Sequence, residues 1–351
     1  MKRFRVGIIG CGTIFPMHAQ SLRKLGAGSF GLGGKGAQLV AVCDIKRERA
    51  AGAARKYRCN HYTDYKKMLD GERLDVVHIC TPHYLHMPMI CEAAKRKVNV
   101  LTEKPMGLNP EEANREISAA KKNGIVLGVI SQNRFNPGSQ LVKKRVKDGS
   151  LGKMKSAQLV LAYHKPDSYY RKSDWKGRKR LEGGGVVIDQ AIHYLDIMRW
   201  LIPSPVDYVE ASVNNRYHSF TDVEDAAEGI VKFRNGFYLS FYLINYYSYD
   251  SDTRIEIDCE KARVNIVKDS ARIGYYRGGE EHAGPRPDEY IDYGDGVRDY
   301  WGYCHFNQIR DYYEALRAGR KPAITGEDAK KTQELVWAIY ESSRRRAKVY
   351  L

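Results

Sequence analysis

The sequence predicts an α/β fold in which an N-terminal parallel sheet is followed by an α+β domain with a large, mostly antiparallel open sheet. Over the first 130 residues, short apolar runs alternate with helix-like segments, and strands that alternate with helices form parallel sheets. Beyond residue 137 the runs become long and strand-like. A length of 351 residues also favours two domains, which we place at residues 1–130 and 131–351.

Short apolar runs predict the strands of the N-terminal sheet, and the segments between them carry helical spacing. The predicted strands are Val6–Ile9, Leu39–Cys43, Val76–Cys80, Val98–Leu101 and Ile125–Ile130. The predicted helices are about Pro16–Leu25, Arg47–Tyr57, Met87–Lys95 and Pro110–Gly124. The last helix has clear start signals, because Asn109 is a favoured N-cap and Glu112 stands where a capping-box carboxylate belongs.

Longer strand-like runs follow in the second half of the chain. They are Ser156–Tyr163, Tyr208–Val213, Glu228–Phe233, Tyr238–Tyr246 and Arg254–Ile257. Between the first two runs, residues 183–196 read as a glycine turn that opens a helix. Asp189 and His193 are four residues apart in this helix, so they are expected to project from one face.

The turn after the first strand carries the first chemical signal. Residues 10–15 read GCGTIF and hold the first two glycines of a dinucleotide-binding fingerprint. One glycine makes the tight turn, and the other lets the backbone approach a pyrophosphate at a helix N-terminus. Phe15 replaces the third glycine, so helix and strand must pack differently there. A bare Gly-x-Gly is common in loops, but its place between a strand and a helix predicts a dinucleotide site of the Rossmann type.

Asp44 ends the second predicted strand, where a carboxylate would accept hydrogen bonds from adenosine ribose hydroxyls. Its distance from the glycine turn exceeds the usual ~20 residues, and we attribute the excess to a surface loop in the glycine-rich insert Gly26–Gly36. A carboxylate here would repel the extra phosphate of NADP and therefore predicts NAD. Lys46 and Arg47 follow directly and could bind that phosphate, so NADP stays open.

Polar residues also follow the third and fourth predicted strands, at residues 81–86 and 103–105. In open α/β sheets the ligand lies outside the carboxyl ends of the strands, so both segments should line the cofactor crevice. Lys104 by itself would be an ordinary solvated lysine, but its position at this edge favours a functional role. His83 and His86 could bind a metal ion, yet no further Cys or His stands at a convincing ligand spacing, and we predict no metal site.

The Glu103-Lys104-Pro105 segment and the Asp189-x-x-x-His193 helix resemble the Gfo/Idh/MocA family (glucose–fructose oxidoreductase, inositol dehydrogenase, rhizopine catabolism), over nearly the whole chain. The resemblance implies an NAD(P)-dependent dehydrogenase acting on a ring secondary alcohol of a sugar, glycoside or inositol. Lys104, Asp189 and His193 would be catalytic. His193 would take the hydroxyl proton, Lys104 would hydrogen-bond the reacting oxygen, and Asp189 would hold the His193 ring or bind a second hydroxyl. In isolation, such an Asp–His pair would be only a modest surface pair.

The resemblance also implies binding residues. Cofactor contacts would come from Gly10, Gly12, Thr13, Ile14, Asp44, Thr81, His83, His86, Glu103, Lys104, Arg134, Trp175 and Lys176. Substrate contacts would come from Lys104, Tyr163, Arg178, Asp189 and His193. Helices within residues 305–351 would pack back toward the first domain, and the C-terminal sheet would form a homodimer or homotetramer. Some relatives of this fold are non-catalytic regulators that bind dinucleotides and sugar-like ligands. The presence of both Lys104 and His193 favours an enzyme.

The net charge is +16, with basic clusters at Lys143–Lys147, Arg171–Arg180 and Arg344–Lys348. Such a field attracts anions, including nucleic acid. No nucleic-acid motif accompanies the clusters, so we interpret them as solvated surface and expect no nucleic-acid partner. Only the middle cluster stands near the proposed site, where its charge could select an anionic substrate.

Cysteine usage and hydropathy predict a cytoplasmic protein without a membrane segment. The seven cysteines show no paired spacing, and several lie within apolar strand-like runs. The N-terminal apolar run is only as long as a buried strand and lacks a cleavage site. No stretch approaches the ~20 apolar residues that a membrane helix requires.

Overall fold

The computed structural model describes residues 3–26, 36–286, 293, 297 and 304–351. The chain forms two compact units. Unit 1 comprises Met1–Ser131 and Ile291–Lys330, and unit 2 comprises Gln132–Tyr290 and Lys331–Leu351. Residues 27–35 of the predicted glycine-rich insert lie outside the described residues. None of the described helices is long and apolar enough to cross a membrane.

The helices and strands of the described residues are numbered in chain order. The strands are β1 (Phe4–Ile9), β2 (Ala37–Cys43), β3 (Asn60–Tyr62), β4 (Val76–Ile79), β5 (Asn99–Thr102), β6 (Leu127–Val129), β7 (Met154–Ala162), β8 (Val206–Asn214), β9 (Ala226–Phe233), β10 (Tyr238–Ile244), β11 (Arg254–Cys259), β12 (Ala262–Val267), β13 (Ser270–Tyr275), β14 (Glu280–Ala283) and β15 (Val349–Tyr350). The helices are α1 (Phe15–Gly26), α2 (Arg47–Tyr57), α3 (Tyr65–Gly71), α4 (His86–Lys95), α5 (Pro110–Asn123), α6 (Pro137–Lys147), α7 (Asp167–Arg171), α8 (Lys179–Glu182), α9 (Ile192–Leu201), α10 (His305–Ala318) and α11 (Gly326–Arg345).

Unit 1 is built on a parallel sheet in the order β3-β2-β1-β4-β5-β6, which confirms the predicted fold class. Its central strands are largely apolar because both sheet faces are covered; all four residues of β4, including the polar His78, are buried. The chain runs outward from β1 in one direction and returns to β4 on its other side. Ligands of open α/β sheets bind at such a switch point, beyond the carboxyl ends of the strands.

The start of α5 confirms the predicted cap and refines it. The Asn109 side chain accepts a hydrogen bond from the Glu112 main-chain N–H at 2.9 Å. The Glu112 carboxylate reaches back to the main-chain N–H of Leu108 at 2.8 Å, one residue before the N-cap. Gly124 ends the helix in the left-handed conformation, with φ +67°.

Unit 2 is built on a mixed sheet in the order β14-β13-β12-β11-β7-β10-β9-β8-β15. Its neighbouring strands are antiparallel except for β7 and β10, so the prediction of a mostly antiparallel sheet is confirmed. Along β10, β11 and β12, side chains alternate between a buried and a more exposed face. On β10, Leu239, Phe241 and Leu243 are buried, whereas Tyr238 and Tyr242 are exposed.

The predicted helix after residue 183 forms, but its first turn is a π-helix over Val186–Ala191 that leads into α9. Glu224 accepts hydrogen bonds from main-chain N–H groups at the N-terminus of this turn. Its main-chain oxygen accepts from Val186 N–H at 3.1 Å, and its carboxylate accepts from Val187 N–H at 3.0 Å. A Cβ on Gly185 would lie 1.9 Å from the Glu224 oxygen, so this approach requires glycine. Because a π-turn is wider than an α-turn, the α-helical spacing used to place Asp189 and His193 on one face does not strictly apply.

Candidate active site

The glycine turn of unit 1 has the conformation that a dinucleotide site requires. Gly10 has φ +96°, and a Cβ there would lie 2.4 Å from the main-chain oxygen of Cys80. A Cβ on Gly12 would meet nothing within 4 Å, so this side of the turn is open to a ligand. Thr13 is exposed and Ile14 is half-buried just before α1 begins. Phe15, in the place of the third glycine, is buried and packs edge-on against Tyr57, with ring centroids 5.5 Å apart.

Asp44 lies at the carboxyl end of β2, as predicted, and is tied to the glycine turn. Its carboxylate accepts from the Cys11 main-chain N–H at 2.8 Å and from the Lys46 main-chain N–H at 2.8 Å. The open face at Gly12, the helix N-terminus and this carboxylate provide the donor set for a pyrophosphate and the acceptor for ribose hydroxyls. The residues present therefore fit NAD.

His86, at the first position of α4, holds two loops of the crevice together. The ring is fully buried; Nδ1 lies 2.9 Å from the oxygen of Pro105, and Nε2 lies 2.9 Å from the oxygen of Thr81. Both ring nitrogens thus contact main-chain carbonyls, which assigns His86 a bracing role that the sequence did not indicate. His83 is buried beside it, with ring centroids 5.9 Å apart. Across the described residues, no group of three His, Cys, Asp or Glu side chains is arranged to hold a metal ion.

Glu103 and Lys104 follow the carboxyl end of β5. The Glu103 carboxylate is directed into the interior of unit 1, where it accepts from His18 Nε2 at 2.8 Å and lies 3.5 Å from His305 Nε2. This interior position provides no support for the predicted cofactor contact of Glu103. Lys104 is half-buried at the sheet edge, and its peptide bond to Pro105 is cis.

Asp189, in the π-turn of unit 2, accepts three hydrogen bonds on one carboxylate oxygen. The donors are the Tyr169 hydroxyl at 2.8 Å, the Lys176 ammonium at 2.8 Å and the Gln190 amide at 2.6 Å. Donors that converge on a carboxylate favour its ionised form. His193 is half-buried at the second position of α9.

Lys176 lies between two carboxylates of unit 2. Its ammonium is 2.8 Å from Asp189 and 3.3 Å from Glu182, and it lies over the rings of Tyr169 and Trp175. Burial by itself would lower the pKa of Lys176, but Asp189, Tyr169 and Glu182 raise it well above its usual value. Burial raises the pKa of Glu182 to about 7, against the opposing charge of Lys176. The predicted cofactor residue Lys176 therefore holds Asp189 in place within unit 2.

Arg134 forms a buried, two-pronged ion pair with Asp196. Its Nε and Nη2 lie 2.6 and 2.5 Å from the two Asp196 oxygens, and the Thr332 hydroxyl donates to the same carboxylate at 2.6 Å. Burial would raise the pKa of Asp196, but Arg134 outweighs it and lowers this pKa. The guanidinium is only 5% exposed, so it braces unit 2, and its geometry adds nothing in favour of a cofactor contact.

The remaining predicted substrate residues differ in exposure. Tyr163 is buried, and its hydroxyl lies 3.1 Å from the Tyr194 hydroxyl and accepts from the Thr253 hydroxyl at 2.9 Å. Arg178 is exposed and precedes α8.

Sequence reasoning missed several residues that hold the site. They are His18, His78 and His305 around Glu103, Tyr169, Glu182 and Gln190 around Asp189, and Glu224 at the π-turn. The one available signal was Glu182, which directly precedes the three glycines, but the surrounding run of basic residues obscured it. Apart from Gln190, which directly follows Asp189, the others contact the site from distant parts of the chain.

Two family models match most of the chain. The model described as an oxidoreductase family with an NAD-binding Rossmann fold matches residues 4–131. The model described as the GFO/IDH/MocA C-terminal domain matches residues 139–265.

Named relatives and solved structures agree with this match. The myo-inositol 2-dehydrogenase of Thermotoga maritima is 26% identical, over 99% of this chain and 98% of its own. The D-glucoside 3-dehydrogenase of Escherichia coli is 31% identical, over 66% and 67%. The WlbA dehydrogenase of Bordetella pertussis, solved with NADH and UDP-GlcNAcA, has a TM-score of 0.84 at 26% identity, over 100% and 98%. The chain belongs to the GFO/IDH/MocA family of oxidoreductases, and its cofactor is NAD.

Proposed function

We propose that this protein oxidises a ring secondary alcohol of a sugar, glycoside or inositol, and that Lys104 and His193 handle the proton of the reacting hydroxyl. The observation that carries the proposal is the position of Lys104, which follows β5 at the carboxyl edge of the parallel sheet. Relatives named for action on an inositol and on a glucoside support the substrate class.

NAD, when bound, accepts the hydride that leaves the substrate carbon. The open face of Gly12 and the start of α1 would bind its pyrophosphate, and the Asp44 carboxylate would accept hydrogen bonds from the ribose. Because the main-chain donors of Cys11 and Lys46 fix Asp44, this anchor is formed before the cofactor arrives.

Loss of hydride from the carbon requires loss of the hydroxyl proton. His193 is the proposed base, because an imidazole with an ordinary pKa of about 6.5 changes charge near neutral pH. Lys104 would donate a hydrogen bond to the same oxygen and stabilise the developing alkoxide. Asp189 is held ionised by three donors, which supports the first of its two predicted roles, stabilisation of the His193 imidazolium.

The test is replacement of Lys104 by alanine. We expect the turnover number to fall by roughly 10²-fold or more, because a group that manages the proton in the transition state is lost, while the affinity for NADH changes little. Turnover is followed by NADH absorbance and affinity by NADH fluorescence. Lys122→Ala, at an exposed position of α5, is the matched control. Unchanged turnover in Lys104→Ala would overturn the assignment.

The substrate screen should include inositols, aldoses, glycosides and nucleotide sugars, each with an acidic derivative. Acidic forms belong in it because Arg178, a predicted substrate contact, is an exposed basic side chain. A non-catalytic regulator, the competing function, would bind NADH tightly and turn over none of these compounds.

We further propose a cytoplasmic homodimer or homotetramer joined through the sheet of unit 2. All seven cysteines are free thiols, as in proteins of reducing compartments. The exposed sheet face carries Tyr238, Tyr242 and Val160, which are 40%, 41% and 37% exposed. Such an apolar, aromatic surface is typical of subunit interfaces.

A further inference from the structure

A row of titratable side chains crosses the interior of unit 1 and ends at the residue before Lys104. The row consists of Tyr313 on α10, His78 on β4, His18 on α1 and Glu103, and none of them is more than 7% exposed. His305 on α10 faces the same end of the row. We call Tyr313, His78, His18 and Glu103 the histidine chain.

Three short contacts join the histidine chain in series. The Tyr313 hydroxyl lies 2.8 Å from His78 Nε2, and His78 Nδ1 lies 2.9 Å from His18 Nδ1. His18 Nε2 lies 2.8 Å from Glu103 Oε1. Each contact lies within hydrogen-bond distance, so each needs one proton between its two atoms.

The pKa shifts of His18 and His78 indicate that both imidazoles are neutral. Burial lowers the pKa of His18, although its hydrogen bond to Glu103 opposes the shift. Burial and the neighbouring His18 lower the pKa of His78 well below its usual value. A neutral imidazole has one N–H donor and one acceptor nitrogen, so each ring must donate on one side and accept on the other.

Only two arrangements of protons then satisfy all three contacts. In the forward arrangement Tyr313 donates to His78, His78 Nδ1–H donates to His18, and His18 Nε2–H donates to an ionised Glu103. The reverse arrangement requires a protonated Glu103 that donates to His18. Burial by itself would raise the pKa of Glu103, but the hydrogen bond from His18 and the nearby His305 ring outweigh it and hold this pKa well below its usual value. Glu103 is therefore ionised, and the forward arrangement holds.

We propose that the histidine chain, running forward from Tyr313, fixes Glu103 as a buried anion and thereby positions Lys104 for the proton chemistry. This inference depends on the proposed role of Lys104. Glu103 is a positioning residue here, because it acts through its neighbour in the chain.

The other groups around Glu103 are compatible with this role. His305 lies 3.5 Å away, and Lys104 is its neighbour in the chain. The Glu103 charge also acts on His86 at the start of α4 and on the Cys80 thiol at the end of β4. Burial raises the pKa of Cys80 well above its usual value, which keeps its thiol protonated, and lowers the pKa of His86. Glu103 thus carries the negative charge of this group of buried side chains.

The direction of the histidine chain can be read by nuclear magnetic resonance. In protein labelled with ¹⁵N at histidine, His78 should show the Nδ1–H tautomer and His18 the Nε2–H tautomer. The Tyr313→Phe variant should perturb the His78 signals, whereas Tyr312→Phe should not, because the Tyr312 hydroxyl donates to the main-chain oxygens of Val100 and Val126. Opposite tautomers, or protonated rings near pH 7, would overturn the forward arrangement.

The positioning role is tested with two substitutions of His18. His18→Leu removes the donor to Glu103, and we expect turnover to fall by about tenfold or more, the size seen when an outer-shell partner is lost. The acid limb of the pH profile should move to higher pH, because Glu103 then protonates more readily. His18→Gln can place an amide N–H near the position of Nε2 and should recover most of both effects.

NADH affinity and thermal unfolding of both variants establish that they are folded. A folded His18→Leu variant with the wild-type pH profile would overturn the positioning role, and so would a His18→Gln variant no better than His18→Leu. Failure of the proposed function would be recognised by a different result. The Lys104→Ala variant would then keep the wild-type turnover number, independently of the results for the His18 variants.

Discussion

Unit 1 and unit 2 each hold a buried carboxylate near a proposed catalytic residue, and they do so by different means. In unit 1, Glu103 precedes Lys104 and takes its hydrogen bond from a neutral imidazole, His18. In unit 2, Asp189 precedes His193 by four residues and takes its hydrogen bonds from an ammonium, a hydroxyl and an amide. The first anion is stabilised by oriented dipoles and the second chiefly by an opposite charge.

This difference determines what should happen when a partner of each carboxylate is removed. A charge-balanced cluster depends on every charge in it, because removal of one partner leaves the other charges buried and uncompensated. A chain of neutral groups depends on the positions of its protons. Disruption of such a chain should therefore appear first in the pH profile of turnover. The comparison yields predictions of decreasing size.

The largest effect is expected from Lys176→Met. Without the ammonium, Asp189 and Glu182 become two neighbouring buried carboxylates, and one of them must take up a proton. We expect turnover to fall by about 10²-fold and the free energy of unfolding to fall by about 3 kcal/mol. Turnover assays and urea denaturation measure both quantities.

Lys179→Met, at an exposed position of α8, is the control and should change neither quantity appreciably. Loss of activity without loss of stability would mean that Lys176 contacts a ligand, as the sequence predicted, and that charge balance around Asp189 matters little.

Arg134→Lys should give a smaller, purely structural effect. A lysine cannot reproduce the two parallel hydrogen bonds to Asp196, so we expect the free energy of unfolding to fall by about 2 kcal/mol. The dissociation constant for NADH should stay within about twofold of the wild-type value, since the guanidinium binds Asp196 inside unit 2. Arg254→Lys, at an exposed position of β11, is the matched control. Weaker NADH binding at unchanged stability would instead support the predicted cofactor contact.

The sequence predicted the local geometry of Gly10 and Asp44 in unit 1 better than the contacts around Asp189 in unit 2, for physical reasons. The cofactor end of unit 1 depends on local backbone geometry at Gly10 and on the end of a buried strand at Asp44, and both leave a mark in a few adjacent residues. The donors to Asp189 are set by packing: Lys176 lies 13 residues away and Tyr169 lies 20 residues away. Tyr313 lies 235 residues from His78, and no local pattern connects them.

The fold shows the same division. Helix α2 has the predicted bounds, Arg47–Tyr57, because its buried residues Ala50, Ala53 and Ala54 follow helical spacing. Strand β3 was missed, because three largely exposed residues, Asn60–Tyr62, carry no apolar run. Strands β12, β13 and β14 were also missed, since they extend the sheet away from the elements that we could identify. The π-turn depends on Glu224, which lies 37 residues from its partner Val187.

The smallest effect concerns Asp269, a carboxylate that neither an ammonium nor an imidazole holds at close range in the described structure. Its side chain accepts from the Asn136 amide at 2.5 Å, and burial raises its pKa to about 6, although Lys268 opposes the shift. A carboxyl group with a raised pKa in the folded state stabilises the protein fully below its unfolded pKa of about 4. That stabilisation is lost as the pH rises through about 6.

Asp269→Asn keeps a carbonyl oxygen for Asn136 and removes the titration. The free energy of unfolding of the wild type should therefore drop between pH 4 and pH 7 by about 1.5 kcal/mol more than that of the variant, a figure reduced for partial solvent screening. Urea denaturation at the two pH values measures this difference, with Asp167→Asn at an exposed position of α7 as the control. Parallel pH dependence of Asp269→Asn and wild type would show that burial does not raise the pKa of Asp269. A nearby ammonium or imidazole would then not explain how Asp269 differs from Glu103 and Asp189.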